Sequence, residues 1–519
     1  MKRADLFAVT AYTSVLRLIG QLIAFVSGLI VSATFGATNA TDNYYTALIL
    51  PAALANLVVN ILTNLFAPVY LEHIHRDPTQ QRPILAALSF VTSAALGGAT
   101  IISLVAVPVS ISLRGLRANN TLQASIFGVA LVALIPLVGL TRLLGTICEA
   151  HERYKVPAVA SLLNPLAFVL ILMLTAQKIG IYSLLCANLA GQMTEFLVLT
   201  VYAWGKLHIS LCPSPRLHPA VREMFAQSLA PAGTYGALFF VPTFDRAAAA
   251  ILDAGNLTAF HYGERIVTVL DIIIMGSVIT VVSNHWAQQA AERGINAALH
   301  TFNSVISNLL FILIPLTLGG FALRYPIFSV LFHHGLFTSD NDSAQVFGIL
   351  LLSAPLNYMI VISVRLLLIA RDVRAQMILA IGISLLNALL NIILVPPFGL
   401  TGITLSTLLS RAFILALSYR FLKSRLSQIN IKLILPNLAR TFACAGIMAI
   451  ALFLLQHLLS PTLSGNNGLF AQIVALGVVI SIASSIYLGA AYLTHHPELL
   501  ALRDLLIDHL SARFSPSPL

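Results

Sequence analysis

In this chain the residues able to do chemistry are the few that carry charge inside long apolar runs. They are Arg17, Asp42, Glu195, Asp245, Arg246, Glu264, Arg265 and Asp271, with Arg411 and Arg440 nearer the ends of theirs. An ionisable group costs a few kcal/mol to place in a membrane and therefore faces a protein interior or a watery cavity. Arginine donates paired hydrogen bonds to phosphate or carboxylate, and its charge does not titrate away. The acids can take a proton or bind a cation. This chemistry is recognition of a charged ligand, without bond cleavage.

Other constellations point to less. There is no GxxxxGK[ST] phosphate loop, no HExxH and no long soluble segment to hold either, so neither an enzyme nor a nucleotide-driven pump is expected. No cofactor is expected. His73, His75, His333, His334, His495 and His496 come in juxtamembrane pairs without Cys or acidic partners at ligand spacing, which argues against a metal site. Cys148, Cys186, Cys212 and Cys444 are too scattered for a disulfide framework. Glu149 and Glu152, near Arg153 and Lys155, read as a solvated loop. Arg142 and Arg365 read as anchors at span ends.

The elements that position these charges follow from composition. The chain has 519 residues, 58% of them hydrophobic and only 9% charged, and its mean hydropathy is +0.90. Soluble domains carry roughly 25% charged residues, so most of this surface faces lipid or another helix. The net charge of +10 is spread over short loops, which excludes a nucleic-acid-binding face.

Runs of helix-spanning length predict an all-α polytopic membrane protein with about fourteen transmembrane helices. Six are expected near 6–34, 44–70, 84–112, 121–147, 155–176 and 179–204. Six more follow near 223–252, 256–289, 297–323, 341–370, 376–395 and 398–423, then a pair near 435–459 and 468–494. The segment after Met1-Lys2-Arg3 reads as an uncleaved first span. Lys and Arg gather in alternate loops, which places both termini in the cytoplasm. Leu499, Leu502, Leu506 and Leu510 would then form one face of an interfacial helix.

The two six-span sets repeat. Arg142-Leu143-Leu144 and Ser161-Leu162-Leu163-Asn164 recur 223 residues on as Arg365-Leu366-Leu367 and Ser384-Leu385-Leu386-Asn387. Ala37, Asn39, Thr41 and Tyr45 recur at 217 residues as Ala254, Asn256, Thr258 and Tyr262, and Gly180-Ile181 recurs at 222 as Gly402-Ile403. Equivalents separated by an even number of spans share orientation, so the halves are parallel repeats about an axis along the membrane normal, with a substrate path expected between them. The expected organisation is a lobe over 1–210, a lobe over 211–427, a helix pair over 428–495 and an amphipathic tail over 496–519.

Depth along the helices sharpens the site. At 1.5 Å per residue, Arg17 is expected roughly 16 Å into the first span, near mid-depth. Asp245, Arg246 and Arg265 are expected on successive antiparallel helices, about 10–14 Å from the outer surface, with Asp271 a turn or two deeper. Asp245 is expected either to pair with Arg265 or Arg246 or to line a cavity. The candidate cavity set is Arg17, Asp42, Asp245, Arg246, Glu264, Arg265 and Asp271.

At Phe35-Gly36-Ala37, Thr41-Asp42, Leu50-Pro51 and Phe66-Ala67-Pro68 the sequence resembles the MurJ/MviN family of lipid II flippases, in the MATE-like MOP superfamily. Supporting words are Arg17-Leu18-Ile19-Gly20, Asp245-Arg246, Tyr262-Gly263-Glu264-Arg265 and Phe332-His333-His334-Gly335-Leu336-Phe337-Thr338. The resemblance spans nearly the whole chain. It implies a bacterial inner-membrane flippase that carries an undecaprenyl-diphosphate-linked disaccharide-pentapeptide outward by alternating access. It also implies that the last two spans form a groove for the lipid tail, and that Arg17, Asp42 and Arg265 sit at functional positions.

Two words depart from the family. Its members usually carry an Arg-Asp pair where this chain reads Phe25-Val26-Ser27-Gly28, and an Asn and an Arg where it reads Ala52-Ala53-Leu54-Ala55-Asn56. Fewer arginines weaken a diphosphate clamp. A flippase for another polyprenol-linked saccharide, a MATE-like cation-coupled exporter and a non-transporting envelope scaffold therefore stand as alternatives. A glycosyltransferase would need a loop with catalytic carboxylates, and the longest outer loop holds only Asp340 and Asp342 beside Arg324. Expected partners are the lipid-linked glycan, membrane lipids, a coupling cation or the membrane potential, and cell-wall synthesis enzymes.

Overall fold

The computed structural model describes residues 3–61, 70, 81–115, 121–209, 213–216, 218–274, 280–332, 336–337, 340–370, 372–425, 434–458, 468–500 and 503. Among them every regular element is a helix. In chain order these are α1 (Arg3–Phe35), α2 (Asn39–Ile61), α3 (Gln81–Gly115), α4 (Thr121–Val132), α5 (Leu134–Ala150), α6 (Lys155–Ile179), α7 (Tyr182–Leu207), α8 (Pro219–Ala250) and α9 (Asn256–Ile274). The remainder are α10 (Thr280–Arg293), α11 (Ile295–Ala322), α12 (Arg324–Phe332), α13 (Asp340–Ile369), α14 (Val373–Arg425), α15 (Leu435–Leu458) and α16 (Leu469–Leu493).

Ten segments among the described residues are long and apolar enough to cross a membrane. One of them, α14, holds two crossings, because Gly399 breaks it with φ 56° and ψ −132°. The helices α2, α8 and α9, of 23, 32 and 19 residues, complete the about fourteen crossings. They are less apolar because they carry Asp42, Asp245, Arg246, Glu264, Arg265 and Asp271. The nine-residue α12 is an element the apolar runs do not predict; at about 13 Å it is too short to span and falls in what reads as a loop.

The repeat is visible in backbone geometry. Gly180, which ends α6, has φ 56° and ψ −135°, nearly the same as Gly399. This left-handed turn favours glycine, which has no Cβ to clash. Gly180 therefore corresponds to Gly399. The expected partner Gly402 is helical and packs so closely that a Cβ would lie 2.2 Å from the Leu394 carbonyl oxygen. Between Asn164 and Gly180 there are four more residues than between Asn387 and Gly399, about one helical turn, a change that preserves which side chains share a face.

The helices gather into two compact units. The first comprises residues 1–265, 334–339 and 380–403; the second comprises 266–333, 340–379 and 404–519. In the first unit, Val31, Tyr44, Phe127, Leu131, Leu172 and Leu184 form a core joining α1, α2, α4, α6 and α7. Tyr44 stands edge-on to Phe127 at 5.8 Å, and Asn188 Nδ2 donates to its hydroxyl at 2.9 Å. This packing fixes the first turns of α2, where Asp42 and Tyr45 sit.

In the second unit α11 packs on α13 and α15, and α15 on α16. Tyr487 donates to the Phe311 carbonyl at 2.7 Å and Gln456 to that of Ala322 at 2.8 Å. Beyond α16 the chain folds back. His496 Nδ1 stands 2.7 Å from Glu498 Oε2, and Glu498 Oε1 accepts hydrogen bonds from Asn437 at 2.9 Å and from Ser307. The reading that His496 lacks an acidic neighbour is therefore corrected: both groups are buried, and His496 lies against the Phe311 ring. Leu502, Leu506 and Leu510 of the expected interfacial helix lie outside the described residues.

Candidate functional site

The repeat-equivalent starts of α2 and α9 meet. Thr258 Oγ1 lies 3.1 Å from Thr41 Oγ1, and the rings of Tyr45 and Tyr262 are 6.3 Å apart and nearly perpendicular. Like residues touching like is what a two-fold axis through this point requires. One substitution breaks the symmetry, because Asp42 has Ala259 as its counterpart. The Asp42 carboxylate, wholly buried, accepts from the Gly255 amide at 2.7 Å, the Thr258 amide at 2.8 Å and the Thr258 hydroxyl at 2.6 Å. It thus caps the positive N-terminal end of a helix 213 residues away in sequence. Gly255 reaches it with φ 90°, a conformation a side chain would strain.

Further along α9 lies the cationic part of the site. Arg246 on α8 pairs with Glu264 through two guanidinium nitrogens, at 3.1 and 3.2 Å. The adjacent Arg265 makes no ion pair among the described residues and donates to the Ala24 carbonyl of α1 at 2.7 Å. Its Nε rests over Gly28, 3.7 Å from where a Cβ would stand. Ser27 turns its hydroxyl back to that same Ala24 carbonyl. At Ser27-Gly28 on α1 the chain therefore holds a guanidinium supplied from α9. His261, one turn before Arg265, lies with its ring 4.1 Å from Tyr45. Sequence reasoning misses His261, although its spacing of three and four from Glu264 and Arg265 puts all three on one helix face.

Asp245 interacts electrostatically with the adjacent Arg246 and has a hydrogen-bond donor on α14 as well. It accepts from Asn391 Nδ2 at 2.8 Å, and the same amide is 3.3 Å from Asn387 Oδ1; all three residues are buried. Asn391 also escapes sequence reasoning, and its signal is an Asn-x-x-x-Asn spacing on one face of α14. Glu195 of α7 accepts from Asn164 at 2.7 Å, and Gly191 leaves the room that brings Asn164 close.

Arg17 stands near the middle of α1, 14 residues after its first residue Arg3 and 18 before its last, Phe35. It is half-exposed and pairs with Glu149 at 2.7 Å. Glu149 is accordingly in α5 and not in a solvated loop, because the helix continues to Ala150. Asp271 belongs to the second unit, where Tyr358 donates to it at 2.5 Å, and Arg411 of that unit donates to Ser353 at 2.6 Å.

The second unit also holds an apolar groove of about 440 Å³ between α11, α15 and α16, with Pro315, Gly319, Met448, Leu452, Ile480 and Ala483 among its walls. Its only ionisable lining group, the Tyr487 hydroxyl, is already bonded to Phe311. Such a surface suits a hydrocarbon chain.

Comparison with known proteins gives consistent matches. The family model described as lipid II flippase MurJ matches residues 31–474. The lipid II flippase MurJ of Burkholderia cenocepacia is 22% identical over 432 residues, covering 78% of this chain and 81% of that protein. A solved lipid II flippase MurJ in an inward closed conformation superposes with a TM-score of 0.77 at 18% identity, covering 96% of this chain and 100% of that one. An inward-facing multidrug resistance MATE family transporter of the MOP superfamily gives 0.66 at 14%, covering 80% and 98%. The structural matches speak for the fold.

Proposed function

Because the chain belongs to the lipid II flippase MurJ family, we propose that it is a bacterial inner-membrane flippase. In this reading it carries an undecaprenyl-diphosphate-linked peptidoglycan precursor from the inner to the outer leaflet by alternating access, as a transporter and not a catalyst. The observation that carries the reading is Arg265, a guanidinium whose hydrogen-bond partner is a neutral carbonyl. Among the described residues that is its one hydrogen bond, and a guanidinium can grip a diphosphate in two places without losing charge. Arg246 and Glu264 neutralise each other beside it, which leaves Arg265 as the cation of this trio without an ion-pair partner among the described residues.

The remaining parts take roles in the same reading. Both termini are cytoplasmic, and the starts of α2 and α9 face outward. The Asp42 clasp is then an outer gate that opens when its three hydrogen bonds break. The groove at α11, α15 and α16 takes the polyprenyl tail. Residues 1–210 and 211–427 act as the two lobes, 428–495 as the added pair and 496–519 as a cytoplasmic tail. A diphosphate moving outward gains roughly 2.3 kcal/mol per charge per 100 mV of inside-negative potential. Asp245 with the oxygens of Asn387 and Asn391 offers hard ligands suited to a coupling cation. Cell-wall synthesis enzymes are the natural partners.

A second reading, export of another polyprenol-linked saccharide or a cation-coupled exporter, is favoured by the short supply of arginine at Ser27-Gly28 and at Ala52 to Asn56. Depletion separates the two. Loss of precursor externalisation in depleted cells lacking a second flippase supports the first reading, whereas normal externalisation with lost surface polysaccharide supports the second.

A further inference from the structure

The first unit contains a cavity of about 380 Å³ that none of the roles above uses. Ser93 of α3, Leu140 of α5 and Phe196 of α7 line it together with Trp204, Ile209 and Pro213. From Phe196 to Trp204 the helix rises about 12 Å, so the cavity runs lengthwise into the apolar layer. Two hydroxyls in its wall are already satisfied. Ser89 donates to the Leu85 carbonyl at 2.6 Å and Thr200 to that of Phe196 at 2.8 Å. With Ser93 as the remaining hydroxyl in an otherwise largely apolar lining, the space suits hydrocarbon better than sugar.

The end near Trp204 has a different character. Trp204 is 73% exposed, in the manner of an aromatic side chain at a membrane interface. Residues 196–222 contain Lys206, Arg216 and Arg222 and no Asp or Glu. All three basic residues are exposed. The connection that carries Arg216 is tied down, because the Ser214 amide donates to the Ala86 carbonyl of α3 at 3.1 Å. Lys206 follows the lining residue Trp204 by two positions and Arg216 follows the lining residue Pro213 by three, and basic residues beside an apolar slot between transmembrane helices recognise anionic lipid head groups.

We propose that this cavity binds one acyl chain of an anionic phospholipid, whose head group sits on Lys206 and Arg216. The occupant is a structural or regulatory lipid, separate from the transported molecule. The site is independent of the flippase reading, since none of its residues belongs to the charged cluster or the α11 groove.

The chain has two tryptophans, and Trp286 is 1% exposed, so Trp204 can report on its own lipid. Full-length protein carrying Trp286→Phe is placed in phosphatidylcholine nanodiscs with increasing dibrominated phosphatidylglycerol or dibrominated phosphatidylcholine. Half-maximal quenching is expected at about tenfold lower mole fraction for the anionic lipid, given two basic residues beside the slot. Filling the slot with Ser93→Phe should merge the two curves. Equal quenching by both lipids in the parent protein overturns the proposal. So does an anionic preference that survives Ser93→Phe, since the basic surface alone would then explain it. Should Trp286→Phe not fold, the same titration on the unmodified chain reads Trp204 over a sheltered Trp286 background.

Discussion

At the start of α9 the Asp42 carboxylate is ringed by two amides and a hydroxyl, whereas two turns further along the same helix the Arg265 guanidinium has one neutral carbonyl. Both charges are withdrawn from bulk water. The first is matched so fully by the protein that nothing remains for a ligand. The second is held in place without being answered. A charge that maintains structure and a charge that waits for a substrate differ in this residual capacity, and in neither case does burial alone reveal which is which.

The largest effect that tests this contrast is on transport. Arg265→Ala should lower precursor flipping by about tenfold or more, as loss of a charge-assisted hydrogen bond worth roughly 1.5–3 kcal/mol implies. Arg265→Lys keeps the charge without the planar fork and should fall between the two. An unchanged rate in the alanine variant at normal protein level would break the comparison and favour a scaffold. Asp42→Ala should act first on stability. It strips a cap and leaves three donors without their acceptor, a cost of about 2 kcal/mol or more, readable as a lowered melting temperature of the purified protein. The smallest effect belongs to the half-exposed Arg17–Glu149 pair. Glu149→Gln should change stability by less than about 1 kcal/mol, with the difference shrinking further in high salt.

The spans are legible in the sequence because each requires about twenty consecutive apolar residues, a signal that survives ignorance of every contact. The repeat is legible for the same reason that it folds twice: Thr41 and Tyr45 keep their types at Thr258 and Tyr262, and these pairs meet on the axis. The partners of the charges are not legible. Asp42 and Gly255 are 213 residues apart, and a backbone amide carries no residue-type signal. Proximity along the chain points Asp245 to Arg246 but gives no sign of the asparagine 146 residues away that donates to it. Arg17 and its partner Glu149 are likewise 132 residues apart.

The meeting of α2 and α9 has a consequence for the duplication that made the two halves. Beside a two-fold axis a residue comes close to its own copy, as Thr41 does to Thr258, so an acid inherited twice would bring a second buried carboxylate into the same region, where like charges raise each other's pKa. Asp42 stands opposite a lineage position now occupied by Ala259. The ancestor of this chain, if it paired identical halves, could not have held the clasp in its present single-sided form. Restoring the symmetry with Ala259→Asp would add a second buried carboxylate at the meeting of α2 and α9, near the one already there. Divergence of the halves was thus the condition under which a directional fastening became available.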